Sequence, residues 1–497
     1  MVKCCIIYYS IDSHGVRALM AYLQEHTNAE IKLLLFPFTN LIPRGKFSDH
    51  IVEQVVQECR GFDIVGFSVP SDHYMRTVQL SEALKNKTDV KVIYGGTHPT
   101  IRPQQCLKYA DAVCVGEGEE AMTELINHYD RERVIASDIS NIYVKDKSGN
   151  IISNDPRPPI DNLDKVPIFH FWETEERIFH NGYFRDATIK LYKRYMVPHY
   201  VTLASRGCAF ACTYCGSNSL KRVYKGQKIL RWRSWDSFFT ELHHVKSALP
   251  FIKSICLTDD LFMATKLEDM KTFCNRYKKE INIPLVVVGI HPSLVTEEKV
   301  KLLVNAGAIL LVMGIQSGCQ KTLDLYKRQT KVKDIIESAD LLHKHSKGIS
   351  IAYDFIADNP FETNEDMQET LRFINKLQKP FELHLYSLTL YPGTSLHDKA
   401  IEEGLMSPDE VFEGGFTSLG PGYYNDLLRI IKNLNVPNKI LDVLIERKQG
   451  YRIWHKLLSF LAHIQALLTA GIRDISRGDF RRIHQVITDP RNRNYRY

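Results

Sequence analysis

Val201-Thr202-Leu203-Ala204 runs directly into Ser205-Arg206-Gly207-Cys208-Ala209-Phe210-Ala211-Cys212-Thr213-Tyr214-Cys215. An apolar strand ends, a glycine turns the chain, and three cysteines follow at the spacing C-x3-C-x2-C. Three thiolates on one short loop can each hold one iron of a 4Fe–4S cluster and leave the fourth iron open. Zinc would want a fourth Cys or His at knuckle spacing, and no second C-x2-C pair lies near. The other eight cysteines (Cys4, Cys5, Cys59, Cys106, Cys114, Cys256, Cys274 and Cys319) mostly fall in apolar strands or on helix faces, where a thiol packs as a small hydrophobe.

Downstream, Ser254–Leu257, Leu285–Val288, Ile309–Met313, Ser350–Phe355 and Leu383–Leu388 read as strands separated by helical patterns. With Val201–Ala204 they make six, which predicts a partial (β/α)6 TIM-type barrel over 196–400. Upstream, Val2–Tyr9, Asp63–Val69, Val90–Tyr94 and Ala112–Val115 are short apolar runs. Helical patterns at Val16–Glu25, His50–Arg60, Met75–Asn86, Gln104–Tyr109 and Glu119–Tyr129 follow or separate them. Such β-α-β units predict an α/β, doubly wound, Rossmann-like domain over 1–135, with ligands beyond the carboxyl ends of its strands. Residues 136–195 break the rhythm. A hairpin from Ile142 to Ile152, turning at Lys147-Ser148-Gly149-Asn150, and Pro-rich Asn154–Pro167 read as a linker. Residues 401–497 read as a helical C-terminal segment.

The 497 residues, 44% hydrophobic and 25% charged, suit a soluble globular protein of several domains. A net charge of +6 is too balanced for a general nucleic-acid binder. The excess is local, since 473–497 hold seven Arg against three Asp. Eleven cysteines do not make a disulfide scaffold. The opening apolar run lacks a cleavage site, and Leu457–Ile472 is too short and polar to span a bilayer, so a cytoplasmic location is expected.

The cysteine loop and its surroundings resemble the radical S-adenosylmethionine superfamily, whose signature is this spacing with an aromatic residue before the third cysteine, here Tyr214. The resemblance implies a 4Fe–4S cluster on Cys208, Cys212 and Cys215. Its open iron would chelate S-adenosylmethionine, which one electron cleaves to methionine and a 5′-deoxyadenosyl radical. Thr258-Asp259-Asp260-Leu261-Phe262 resembles the family's DD-x-F element, and Gly314-Ile315-Gln316-Ser317-Gly318 its G-I-E-S-G element, with Gln316 in the place of Glu. Pro360-Phe361-Glu362-Thr363 and Tyr391-Pro392-Gly393-Thr394 resemble its P-G-E-T and Y-P-G-T elements. By this likeness Tyr214, Asp259, Gln316 and Ser317 contact S-adenosylmethionine.

In the first domain, Tyr94-Gly95-Gly96-Thr97-His98-Pro99-Thr100 and Val115-Gly116-Glu117-Gly118-Glu119 follow strands, and paired glycines admit a bulky ligand. The G-x-G-x-x-G fingerprint is missing after strand one, as is any Walker A sequence. Together with Gly66-Phe67-Ser68-Val69, these elements resemble the cobalamin-binding domain that precedes many radical S-adenosylmethionine domains. The resemblance implies a nucleotide-tail slot at Ser68, Val69, Gly95 and Gly96, and a corrin edge at Ser71, Tyr74, Gly116, Glu117 and Gly118. His98 reads as a cofactor neighbour or a plain turn residue. Asp12-Ser13-His14 resembles the cobalt-ligating D-x-H-x-x-G, but Arg17 occupies the glycine's place, and a surface or capping His14 is the preferred reading.

The expectation is a cobalamin-dependent radical S-adenosylmethionine enzyme that transfers a methyl group through methylcobalamin to an unactivated carbon or phosphorus centre. Alternatives are a non-methylating radical cyclase or rearrangement enzyme, and a cobalamin-binding sensor with a structural cluster. Expected partners are a small-molecule or lipid substrate and an external reductant of flavodoxin or ferredoxin type. No nucleic acid is expected, and the basic C-terminal segment would contact a membrane at most peripherally. No catalytic side chain is assigned.

Overall fold

The computed structural model describes residues 1–12, 14–37, 45–196, 198–346, 348–407, 419–434 and 436–446. They form two compact bodies. The first holds the described residues of Met1–Val288, Asn305–Gly307 and Leu390–Gly415, the second those of Gly289–Val304, Ala308–Thr389 and Phe416–Tyr497.

The first body opens with β1 (Lys3–Tyr8), β2 (Glu30–Leu35), β3 (Ile64–Ser68), β4 (Lys91–Gly95) and β5 (Ala112–Cys114). They pair in parallel in the order β5-β4-β3-β1-β2. Cys4, Cys5, Ile6 and Ile7 are each at most 7% exposed, as a strand covered on both faces requires. The strand order reverses between β3 and β1, so the loops after these strands border the crevice where doubly wound sheets take ligands. Sequence patterning passed over β2, although Ile31-Lys32-Leu33-Leu34-Leu35-Phe36 is an apolar run stopped by Pro37.

The segment read as a linker is part of this sheet. β6 (Ile142–Lys145) and β7 (Ile151–Ser153) form the expected hairpin and pair antiparallel onto β5. β8 (Glu175–His180) joins β2 in parallel and β9 (Tyr183–Asp186) returns beside it, making nine strands. Both edges of the parallel sheet are thereby covered.

β10 (His199–Thr202), β11 (Ser205–Arg206), β12 (Arg231–Trp232), β13 (Ser254–Leu257) and β14 (Leu285–Ile290) follow, with β10, β13 and β14 parallel and β11–β12 a short antiparallel ladder. In the second body β15 (Ala308–Gln316), β16 (Ser350–Ala357) and β17 (Glu382–Ser387) are parallel. Alternation along β16 turns Tyr353 and Phe355 towards helices, where they meet His343 and Phe373. All six strands expected after residue 196 are present. Helices Tyr423–Asn433 and Asn438–Glu446 pack on helix Asn364–Lys376, where Gln368 Nε2 donates to Tyr424 Oη (2.8 Å) and Asn375 Nδ2 to Asp442 Oδ1 (2.9 Å). The part of the helical C-terminal segment beyond residue 446, with the basic tail, lies outside the described residues. Among those described, no helix is long and apolar enough to cross a membrane.

Candidate functional site

The cysteine loop leaves β10 under the control of Asp259. Ala204 N donates to Asp259 Oδ1 (3.0 Å), and Ser205 Oγ donates to the same oxygen (2.5 Å). Asp259 is 1% exposed, and burial pushes its carboxyl up to about 6. In the structure its Oδ1 fixes the entry to the loop. Gly207 then takes φ +87°, where an added Cβ would sit 2.5 Å from the Ile229 carbonyl oxygen. Only glycine fits that turn.

Cys208 and Cys215 are half-buried and Cys212 is buried; all are reduced thiols. Cys215 N donates to Cys212 O (3.2 Å), and Cys215 caps helix Gly216–Val223. Lys221, one turn into that helix, donates through Nζ to Ala209 O (2.9 Å) and Phe210 O (2.5 Å), closing the loop over its own helix. Tyr214 is half-buried beside the third cysteine. Burial pushes the Cys208 thiol up to about 11. No three His, Cys, Asp or Glu side chains among the described residues converge on one metal-sized point. A four-iron cube takes each thiolate on a different iron and needs no such convergence.

The loop after β5 grips both flanks of the cysteine loop. Glu117 receives Arg231 bidentately (2.6 and 3.0 Å), and Arg206 lies 3.5 Å away. Glu119, 4% exposed, accepts from Arg206 Nη2 (2.7 Å). Arg206 and Arg231 face each other across the β11–β12 ladder, so two carboxylates neutralise two adjacent guanidiniums. Burial alone would raise the Glu117 carboxyl, but the two arginines hold it below its ordinary value. On the other flank, Glu117 N donates to Tyr224 Oη (2.6 Å), and Tyr224 ends the helix begun at Cys215. Gly116 has φ +84°, and any Cβ there would overlap the Tyr224 hydroxyl. Gly116 and Glu117, expected at a corrin edge, thus have protein partners, while an added Cβ on Gly118 meets only ordinary contacts. Sequence reasoning missed Arg231 and Tyr224, because no local signal links residues more than a hundred positions apart.

Ser68 and Gly95 are cross-strand neighbours at the carboxyl ends of β3 and β4. A Cβ on Gly95 would meet nothing nearer than 3.8 Å. Gly96 differs: it has φ +95°, and its Cβ would fall 2.9 Å from Val69 N, so the protein's own backbone dictates this glycine. Val69 and Tyr74 are 0% and 2% exposed and belong to the sheet's core. Ser71, also buried, lies within hydrogen-bond distance of His98 Nδ1 (3.1 Å). His98, 2% exposed, stacks on Tyr74 at 4.3 Å, and burial pushes it down to about 4.

His14 opens helix His14–His26, with Nε2 3.6 Å from Glu241 Oε2. Its neighbour is thus a buried carboxylate rather than the open surface. Arg17 is 4% exposed: Nη1 donates to Ile11 O (2.7 Å), Nη2 to Tyr192 Oη (2.9 Å), and Glu176 lies at 3.3 Å. Phe169, Phe171 and Tyr192 surround the guanidinium at 4.9–5.6 Å. The residue in the place of the motif's glycine is a structural anchor.

In the second body, Gln316 follows a bulge in β15 with φ +76°. Ser317 is 1% exposed; its Oγ lies 3.0 Å from Thr370 Oγ1 and accepts from Cys319 N (3.1 Å). It braces its own loop. Glu362 accepts from Thr322 Oγ1 (2.7 Å), and burial pushes its carboxyl up to about 7.

A family model described as the radical SAM superfamily matches residues 202–374, and one described as a B12 binding domain matches residues 7–126. The chain is a cobalamin-dependent radical S-adenosylmethionine enzyme. Its cofactors are a 4Fe–4S cluster, S-adenosylmethionine and cobalamin. The chain is 25% identical over 349 residues to the uncharacterized methyltransferase PH0819 of Pyrococcus horikoshii, covering 69% of this chain and 70% of that one. It is 24% identical over 313 residues to the anaerobic magnesium-protoporphyrin IX monomethyl ester cyclase of Rubrivivax gelatinosus, 60% of this chain and half of the cyclase. The fold is similar to that of the radical S-adenosylmethionine methyltransferase TsrM from Kitasatospora setae, with TM-score 0.64, 17% identity and coverage of 81% and 76% of the two chains. The residues present fit the cofactors: three reduced thiols on a pinned loop suit a cluster, and the open Cβ position of Gly95 suits a close ligand.

Proposed function

We propose that this enzyme transfers a methyl group to an unactivated carbon or phosphorus centre of a small molecule, with residues 1–135 as its cobalamin domain and 196–400 as its radical domain. The observation that carries this reading is the grip of the post-β5 loop on both flanks of the cysteine loop within one compact body. It ties a cobalamin domain to an iron–sulfur loop, and the likeness to methyltransferases supports the reaction class.

When bound, the cluster supplies the electron that cleaves S-adenosylmethionine, and cobalamin supplies the methyl group. The chain's part is placement. Cys208, Cys212 and Cys215 hold the cluster; Asp259 and Lys221 keep their loop in shape. Tyr214, beside the third cysteine, would lie against the adenine. Ser68 and Gly95 admit the nucleotide tail. The electron comes from an external reductant.

The test is anaerobic incubation with methyl-labelled S-adenosylmethionine, a reductant and cell extract, followed by mass spectrometry. A product carrying one labelled methyl group is expected. A product without label, formed at the cost of S-adenosylmethionine, would favour the second reading, a radical cyclase, to which the likeness to the Rubrivivax enzyme points. Replacing the three cysteines by Ala should abolish 5′-deoxyadenosine while cobalamin stays bound.

A further inference from the structure

A continuous set of contacts leads from the cobalamin slot to both ends of the cysteine loop. Thr100 Oγ1 donates to Gly96 O (2.7 Å) and accepts from Gly116 N (3.0 Å). The next residue, Glu117, donates through its backbone to Tyr224 Oη (2.6 Å), and Tyr224 closes the helix that Cys215 opens. Glu119 holds Arg206, two positions before Cys208, at 2.7 Å. None of these joints has slack. Gly96 abuts the Val69 backbone, Gly116 abuts the Tyr224 hydroxyl, and Glu119 and Arg231 are each 4% exposed. A shift of the slot loop must therefore move Tyr224 or break a buried polar contact, and the same holds in reverse.

We infer that corrinoid binding and cluster binding are positively coupled through residues Gly116–Glu119, with Glu119 and Tyr224 as positioning residues. This rests on the reading that the corrinoid occupies the Ser68–Gly95 slot. The chain of contacts passes through protein groups alone, so each cofactor acts on the other by ordering the loop they share. Reciprocity is then required: whatever factor the cluster adds to corrinoid affinity, the corrinoid adds to cluster affinity.

The test uses the full chain and hydroxocobalamin as probe. Its dissociation constant is measured by absorbance titration for cluster-free and for anaerobically reconstituted protein. Wild type should bind at least about fivefold tighter with the cluster present, the lower end of ordinary coupling. Conversely, hydroxocobalamin should slow iron loss to a chelator. Glu119→Gln, which keeps shape and removes charge, and Tyr224→Phe, which removes only the hydroxyl, should each bring the affinity ratio towards one while still accepting iron. A protein made unstable by one substitution leaves the other to decide. A wild-type ratio of one, or a ratio unchanged in the variants, overturns the coupling and leaves the slot reading intact. No hydroxocobalamin binding in either form overturns both.

Discussion

Adjacent residues of one motif have different reasons to exist. Gly95 and Gly96 read identically in the sequence, yet only Gly96 is dictated by the protein itself, through φ +95° and the Val69 backbone. Gly96→Ala should therefore lower stability in denaturant titration by about 1–3 kcal/mol, the cost of holding a non-glycine residue in a backbone region that only glycine populates freely, before any clash. Gly95→Val should leave stability nearly unchanged and reduce hydroxocobalamin binding; equal stability losses would contradict this separation. His98 gives a pH signature. Its ordinary value of 6.5 falls to about 4 in the folded protein, so the neutral form is favoured. That contribution is complete above pH 6.5 and is lost as pH falls towards 4, by up to about 3 kcal/mol at 1.36 kcal/mol per unit. His98→Gln should flatten the stability profile across this interval relative to wild type. His14, engaged with Glu241 at 3.6 Å, should not ligate cobalt. His14→Ala is expected to leave the paramagnetic spectrum of bound cob(II)alamin unaltered, and loss of a nitrogen splitting would refute it.

Elements are joined here by buried charge. Arg17 on the first helix ties the loop after β1 to β8 through Glu176 and to helix Ile189–Met196 through Tyr192. Glu176 is 4% exposed, and Tyr192, fully buried, also donates to it. Arg17→Met would strand that carboxylate, and removing one member of a buried pair costs about 3–5 kcal/mol. Denaturant midpoints should fall accordingly, with Arg17→Met combined with Glu176→Gln recovering part of the loss. This anchor also explains why 136–195 failed as a linker reading. Its prolines and polar turns resemble a connector, but β6–β7 and β8–β9 find their partners only at the edges of a sheet formed elsewhere.

At the scale of the molecule, the helices at 423–446 complete the second body. Leu427, Leu428, Ile430, Leu441, Leu444 and Ile445 are each at most 2% exposed. At about 1.5–3 kcal/mol per buried side chain, their removal rivals the stability of a whole domain. Ending the chain after residue 407 should yield protein that binds a hydrophobic dye or precipitates. Full solubility and a native near-ultraviolet spectrum in the shorter chain would overturn this.

The cysteine spacing, the glycine turns and the strand–helix rhythm were legible because each is local: a thiolate loop, a left-handed turn and a period of two or 3.6 residues need no distant partner. They were sufficient for the family, the cofactors and both α/β domains. The roles of Glu117, Asp259, His98 and Arg17 were not legible. Each depends on a group 27 to 175 positions away meeting it in a buried space. A carboxylate quoted as a cofactor contact became half of an ion pair, and an apparent motif failure at Arg17 became an anchor. Burial decides such roles, because a charge taken from water must be met by whatever the fold brings beside it, and only the folded chain determines what that is.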